Sequence, residues 1–213
     1  MYKGLLCDLD GTLTDSEPLH CNAWLSLLRE DFDQDYDEAW FDQWVGTSDR
    51  VVATWLLGQH AWTLGVDELI GRKQERFHAA VRREGSTFDG VPEMLARIAD
   101  KYPLAIATNS GRSDADLMIG ATRLDRFTTI SVTASDVKHM KPEPDIYLLA
   151  AEKLGLPASE CIAIEDSGPG GEAAKAAGCY LIGLTDKVSV ADEFAGTNAE
   201  ALERAYTLLG GGA

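Results

Sequence analysis

Two aspartates, Asp8 and Asp10, close an apolar run near the N-terminus (GLLCDLDGT) with one residue between them. On an extended segment residues two apart project from the same side, so the two carboxylates share a face. Like charges held that close repel and raise one another's pKa unless a cation or a shared proton relieves them. The plain alternative is a turn at a strand end, where Asp and Gly are common. The pattern recurs, however. Glu165, Asp166 and Ser167 follow CIAI, Thr108, Asn109 and Ser110 follow PLAIA, and Lys141 lies in KPEPD beyond a weaker run. Brought to one edge, these residues make a carboxylate cluster, a hydroxyl beside backbone amides, and one ammonium. Carboxylate oxygens without a His or Cys ligand suit a hard cation, and Mg²⁺ is the best match.

The elements that would position them are buried strands. Residues 4–10, 103–110, 161–167 and 179–185 are apolar runs of the kind found in parallel sheets covered on both faces, and 128–135 is a weaker one. Helical stretches at 92–101, 143–155 and 170–178 alternate with the later runs, which predicts an α/β fold with a parallel sheet. In such sheets ligands bind beyond the carboxyl ends of the strands, where the polar residues fall here. One interval breaks the rhythm. Leu19, Ala23, Trp24, Leu27 and Leu28 recur at helical spacing, and 36–45, 48–58 and 66–84 look similar. The spacing predicts a helical insertion over 15–86 within a core of 1–14 and 87–213, with linkers near 14–16 and 85–90. The tryptophans at 24, 40, 44, 55 and 62 are expected in the helical core rather than as sugar platforms.

The 213 residues carry a formal net charge of −16, which argues against nucleic acid or an anionic membrane as partner. An anionic ligand would need a local positive site, which a metal, Lys141 and the amides after Thr108 could supply. No apolar run reaches membrane-spanning length. Cys7, Cys21, Cys161 and Cys179 lack CxxC or metal-finger spacing and read as reduced thiols. With reduced thiols and no signal-like N-terminus, the chain is expected to be cytoplasmic, and with no sign of an interaction helix it is expected to be a monomer.

DxDGT, T-N-S after the second strand, K-P-x-P-D, and E-D-S-x-x-G-x-x-A-A resemble, in order, the four motifs of the haloacid dehalogenase-like (HAD) superfamily. The insertion after the first motif resembles the helical cap of the subgroup containing β-phosphoglucomutase and sugar-phosphate phosphatases. The resemblance implies a Rossmann-like core with an inserted cap domain, and a Mg²⁺-dependent phosphatase acting on a small phosphorylated metabolite, a sugar or polyol phosphate. It implies that Asp8 is the nucleophile, forming an aspartyl-phosphate, and that Asp10 is the general acid and then base. The metal would be held by the carboxylates of Asp8 and Asp166 and the backbone carbonyl of Asp10, with Glu165 helping directly or through water. Thr108, the amide of Asn109 and Lys141 would grip the phosphoryl oxygens.

Within the insertion, His20 resembles a hinge histidine of sugar-phosphate members, or else caps or packs a helix. Lys73 matches a cap lysine that reaches towards substrate in relatives; the alternative is a solvated helix face. VGTSDR (45–50) resembles the loop contacting the non-transferring end of the substrate, and Ser110 is expected to touch substrate beyond its phosphate. A phosphomutase of the β-phosphoglucomutase type is the rival reading, and it needs a cation for a second phosphate. Asp49 stands where that arginine is expected and Arg50 one place later, which disfavours the mutase.

Overall fold

The computed structural model describes residues 1–211. Six strands, β1 (Gly4–Cys7), β2 (Leu104–Ala107), β3 (Ser131–Val132), β4 (Cys161–Glu165), β5 (Tyr180–Gly183) and β6 (Glu193–Phe194), form one sheet in the order β3-β2-β1-β4-β5-β6. Every neighbouring pair is parallel. This is the doubly wound order, with its switch point between β1 and β4, as the α/β expectation required. The helices are α1 (Glu17–Phe32), α2 (Glu38–Asp42), α3 (Asp49–Gln59), α4 (Val66–Glu84), α5 (Val91–Ala99), α6 (Arg112–Thr122), α7 (Asp145–Lys153), α8 (Gly168–Ala177) and α9 (Asn198–Leu208). Among the described residues no helix is long and apolar enough to cross a membrane.

The strands are shorter than the apolar runs. β1 stops at Cys7, so Asp8 and Asp10 lie in the loop beyond the pleat rather than on it. β3 keeps only two residues of 128–135, and β6, also two residues, has no apolar run to announce it. β1, β2 and β4 are buried along their whole length, with their core neighbours Tyr147, Ile146 and Ala150 on α7 and Ala173 and Ala174 on α8. The small residues of α8 let it lie close to the sheet, and Gly170 shows why. A Cβ there would fall 2.1 Å from the Glu165 carboxylate.

The chain divides into two compact units, Met1–Asp15 together with the residues from Ser86 on, and Ser16–Gly85. The first contains the sheet. At its edge the two connecting segments run side by side, Thr14 bridging Thr87 in antiparallel fashion and the Asp15 amide donating to the Ser86 carbonyl at 3.1 Å. The second consists of α1–α4 around Trp24, Leu27, Leu28, Val52, Ala53, Leu56 and Leu69. Trp24 is fully buried there, whereas Trp40, Trp44, Trp55 and Trp62 pack half-buried against that core. The buried face of α4 comprises Leu69, Lys73, Phe77 and Val81, four residues apart and therefore one stripe. A lysine thus occupies an apolar position, and Lys73 has no exposed surface.

Candidate active site

The two strands at the switch point deliver the first groups. Asp8 follows β1 directly and Glu165 is the last residue of β4, and the Asp8 amide extends the pairing by donating to the Ile164 carbonyl at 3.1 Å. Between the carboxylates sits the Lys141 ammonium, 2.6 Å from Asp8 Oδ1, 2.5 Å from Glu165 Oε1 and 2.8 Å from the Ala107 carbonyl at the end of β2. All three side chains are buried. The Lys141 backbone is clamped by Asn109, whose Oδ1 accepts from the Lys141 amide at 3.0 Å and whose Nδ2 donates to its carbonyl at 3.3 Å.

Glu165 is held from every side. Besides Lys141, the Tyr147 hydroxyl donates to Oε1 at 2.6 Å and the Ser167 hydroxyl donates to Oε2 at 3.0 Å. Ser167 in turn caps α8 by accepting from the Gly170 amide at 3.1 Å. Asp10 points elsewhere in the same pocket of loops. Its Oδ2 accepts from the Ser110 hydroxyl at 2.5 Å and more weakly from Thr108 at 3.4 Å. Ser110, expected on substrate, therefore also orients the second aspartate. The loop after Asp10 turns through Gly11, at φ +79, where a side chain would lie 2.4 Å from Asp166 Oδ2. Thr12 donates to Asp166 Oδ1 at 3.3 Å, and Asn198 at the start of α9 donates to the carbonyls of Gly11 and Thr12 at 3.1 and 2.8 Å.

One oxygen each from Asp8, Glu165 and Asp166 lie within 4.8 Å of one another. An all-carboxylate donor set of this span fits a hard divalent cation. Both oxygens of Glu165 already accept hydrogen bonds. Electrostatics agree with a need for positive charge. Burial pushes the Asp8 carboxyl well up; Lys141 opposes this, while Glu165, Asp166 and Asp10 add to it. Lys141 itself would be lowered by burial, but Asp8 and Glu165 outweigh that and keep it protonated. Burial, then the charges of Glu165 and Asp8, push the Tyr147 phenol far up, so it remains a hydroxyl donor.

In the helical unit the sequence-predicted residues separate. His20 and Lys73 meet, the Lys73 ammonium donating to His20 Nδ1 at 2.6 Å, while the His20 ring stacks on Phe77 at 3.9 Å between centroids. Asp49 completes the group, accepting from Lys73 at 2.8 Å and from the Trp24 indole at 3.1 Å. Burial raises the Asp49 carboxyl, but Lys73, His20 and these hydrogen bonds outweigh it and leave it below the usual value. Arg50 is not part of this group. It reaches Asp67 at 2.6 Å on the surface, with 65% of its side chain exposed.

Asp49, Tyr147 and Asn198 were not foreseen as site residues. In the sequence Asp49 shows only as an acid in the place of an expected arginine, and its partner Lys73 lies 24 residues away. Tyr147 reads in sequence as one apolar position of α7, and only its place six residues after Lys141 ties it to the motif. Nothing in the sequence around Asn198 marks it.

A family model described as haloacid dehalogenase-like hydrolase matches residues 2–178. The fructose-1-phosphate phosphatase YqaB of Escherichia coli is 30% identical over 181 residues, covering 83% of this chain and 93% of that protein. The crystal structure of CbbY from Rhodobacter sphaeroides in complex with phosphate superposes with a TM-score of 0.83 at 26% identity, covering 95% of this chain and all of the other. A putative β-phosphoglucomutase from Thermotoga maritima gives a TM-score of 0.81 at 26% identity, covering 97% of this chain and 100% of that one.

Proposed function

This chain belongs to the haloacid dehalogenase-like hydrolases, and on that premise we propose that it hydrolyses the phosphate monoester of a small sugar or polyol through a covalent intermediate on Asp8. The observation that carries this reading is the Asp8 carboxylate held 2.6 Å from the buried Lys141 ammonium, with Glu165 and Asp166 beside it. A carboxylate oxygen of Asp8 attacks phosphorus, the ester P–O bond breaks, and the Asp10 carboxyl hands its proton to the departing oxygen. In the second half Asp10 takes a proton from water, the water oxygen attacks phosphorus, and the bond to Asp8 breaks to release phosphate. Lys141, Thr108 and the Asn109 amide stabilise the phosphoryl oxygens as charge shifts. Ser110 keeps Asp10 in place for both transfers.

Asp8, Asp166 and the Asp10 carbonyl would hold Mg²⁺, with Glu165 serving Lys141. Bound there, the cation supplies charge neutralisation for Asp8 and the phosphoryl group. We assign substrate choice to Ser16–Gly85, acting as a cap. Its Lys73 is balanced by Asp49 and its Arg50 by Asp67, so neither stands ready for a second phosphate. A monophosphate with an uncharged remainder suits that balance.

The likeness to a putative β-phosphoglucomutase keeps a mutase as the second reading. Phosphorus NMR with Mg²⁺ and a panel of sugar and polyol phosphates, including β-glucose 1-phosphate with a trace of its bisphosphate, separates the two. Free phosphate accumulating supports the phosphatase. Phosphate moving from carbon 1 to carbon 6 with little release overturns it.

A further inference from the structure

Lys141 can serve a phosphoryl group only if its ammonium is aimed, and a lysine side chain has four rotatable bonds with which to miss. The aiming is done by acceptors: Asp8, the Ala107 carbonyl and Glu165. Of these three, Ala107 offers strand backbone, and Asp8 follows directly on β1 with its amide bonded to the Ile164 carbonyl. Glu165 is a side chain that has to be fixed in turn. It has no exposed surface, and its Oε1 receives both Lys141 and the Tyr147 hydroxyl at 2.6 Å. Tyr147 is itself fully buried in the core, and its ring lies 5.0 Å from the Lys141 ammonium. It comes from the first turn of α7, in the segment that also carries Lys141, so one stretch of chain delivers the cation and the group that steadies its counter-ion.

We propose that Tyr147 is a positioning residue: its hydroxyl holds Glu165 against Lys141 and so fixes the ammonium on Asp8. Glu165 is thereby committed to the lysine rather than to a metal. The kinetic consequence rests on the phosphatase reading above; the geometric claim does not.

Tyr147→Phe removes the hydroxyl and keeps the ring, so the core stays filled. The hydrogen bond to a charged acceptor is lost, and kcat on an aryl phosphate should fall about tenfold. KM should change little, since the misaimed ammonium matters most as charge shifts in the transition state. The affinity for Mg²⁺ alone, measured by calorimetry without substrate, should stay within about twofold of wild type. In ¹⁵N-labelled protein the Lys141 ammonium signal, sheltered from exchange in wild type, should broaden or exchange faster in the variant. An unchanged kcat, or an unchanged ammonium signal, would overturn the proposal and leave Tyr147 as packing. A loss of Mg²⁺ affinity as large as the loss of kcat would also overturn it, by returning Glu165 to the metal. If the wild type turns over no phosphate ester, the phosphatase reading fails while the ammonium signal still decides for or against Tyr147. Should Tyr147→Phe not fold, Ser167→Ala loosens the same carboxylate at Oε2, and the same ammonium signal is read.

Discussion

Gly170→Ala tests how tightly the centre of the site is built. The added Cβ would lie 2.1 Å from both oxygens and the carboxyl carbon of Glu165, where carbon–carbon contact wants about 3.5–4.0 Å. The carboxylate must therefore give way by more than an ångström, which takes it out of hydrogen-bond range of Tyr147 and Ser167. Each bond to a charged acceptor contributes about 1.5–3 kcal/mol. Replacing Gly by Ala within a helix returns about 0.5–1 kcal/mol, and relaxation returns part of the rest. The net cost should be about 3 kcal/mol, which at about 2–4 °C per kcal/mol for a chain of this size lowers Tm by roughly 6–12 °C. Turnover should fall as well, because Lys141 loses one of its three acceptors. Thermal melts by circular dichroism read the first effect and aryl phosphate kinetics the second. Gly71→Ala, also within a helix but with nothing within 4 Å of the new Cβ, is the control and should stabilise slightly. If Gly170→Ala melted within about 2 °C of wild type, the close confinement of Glu165 described above would be wrong.

Asp8→Asn should abolish turnover and acid-stable labelling by substrate phosphate while leaving the fold intact, as read by phosphorus NMR and a melt. Ser110→Ala frees Asp10 from a 2.5 Å hydrogen bond and should lower kcat several-fold, on the order of tenfold at most, with KM little changed. Asp49, lowered in the folded state, stabilises fully above its unfolded pKa of about 3.9 and loses that contribution as pH falls through the folded value. Acid melts should show wild type losing stability below about pH 4, with Asp49→Asn less stable at neutral pH and flatter in that range. At neutral pH that variant leaves Lys73 buried without its counter-ion and should cost about 3 kcal/mol. Equal neutral-pH stability would show that Lys73 does not depend on Asp49.

What could be read in the sequence followed what is local. Asp8, Asp10, Glu165 and Asp166 are legible because each ends an apolar run, and a parallel sheet places strand ends together whatever the side-chain details. Lys73 was legible through its likeness to a cap lysine, but its burial on the stripe of Leu69, Phe77 and Val81, in place of a solvated helix face, was not. Its partner Asp49 was not, since helices α3 and α4 meet through packing that no spacing rule encodes. Tyr147 hides for another reason. Periodicity registers its ring as core, and the direction of one hydroxyl inside that core is decided by residues about twenty positions away. β6 escaped because two residues on a sheet edge need no apolar run of their own. β3 was overdrawn because flanking threonines favour strands and also serve as caps, as Thr133 does here.

The position of β1 has a consequence for biosynthesis. The strand that leads into Asp8 is made before its neighbours in the sheet, yet its register is set by Leu104–Ile106 on one side and Cys161–Ile164 on the other. Pairings that distant in sequence form late, whereas α1–α4 are closed by near neighbours. During synthesis Ser16–Gly85 can settle while its flanks remain open, and Asp8 acquires its acidic neighbours Glu165 and Asp166 only once β4 has left the ribosome. A chain stopped short of that point carries the DxDGT sequence and Lys141 but neither Glu165 nor Asp166.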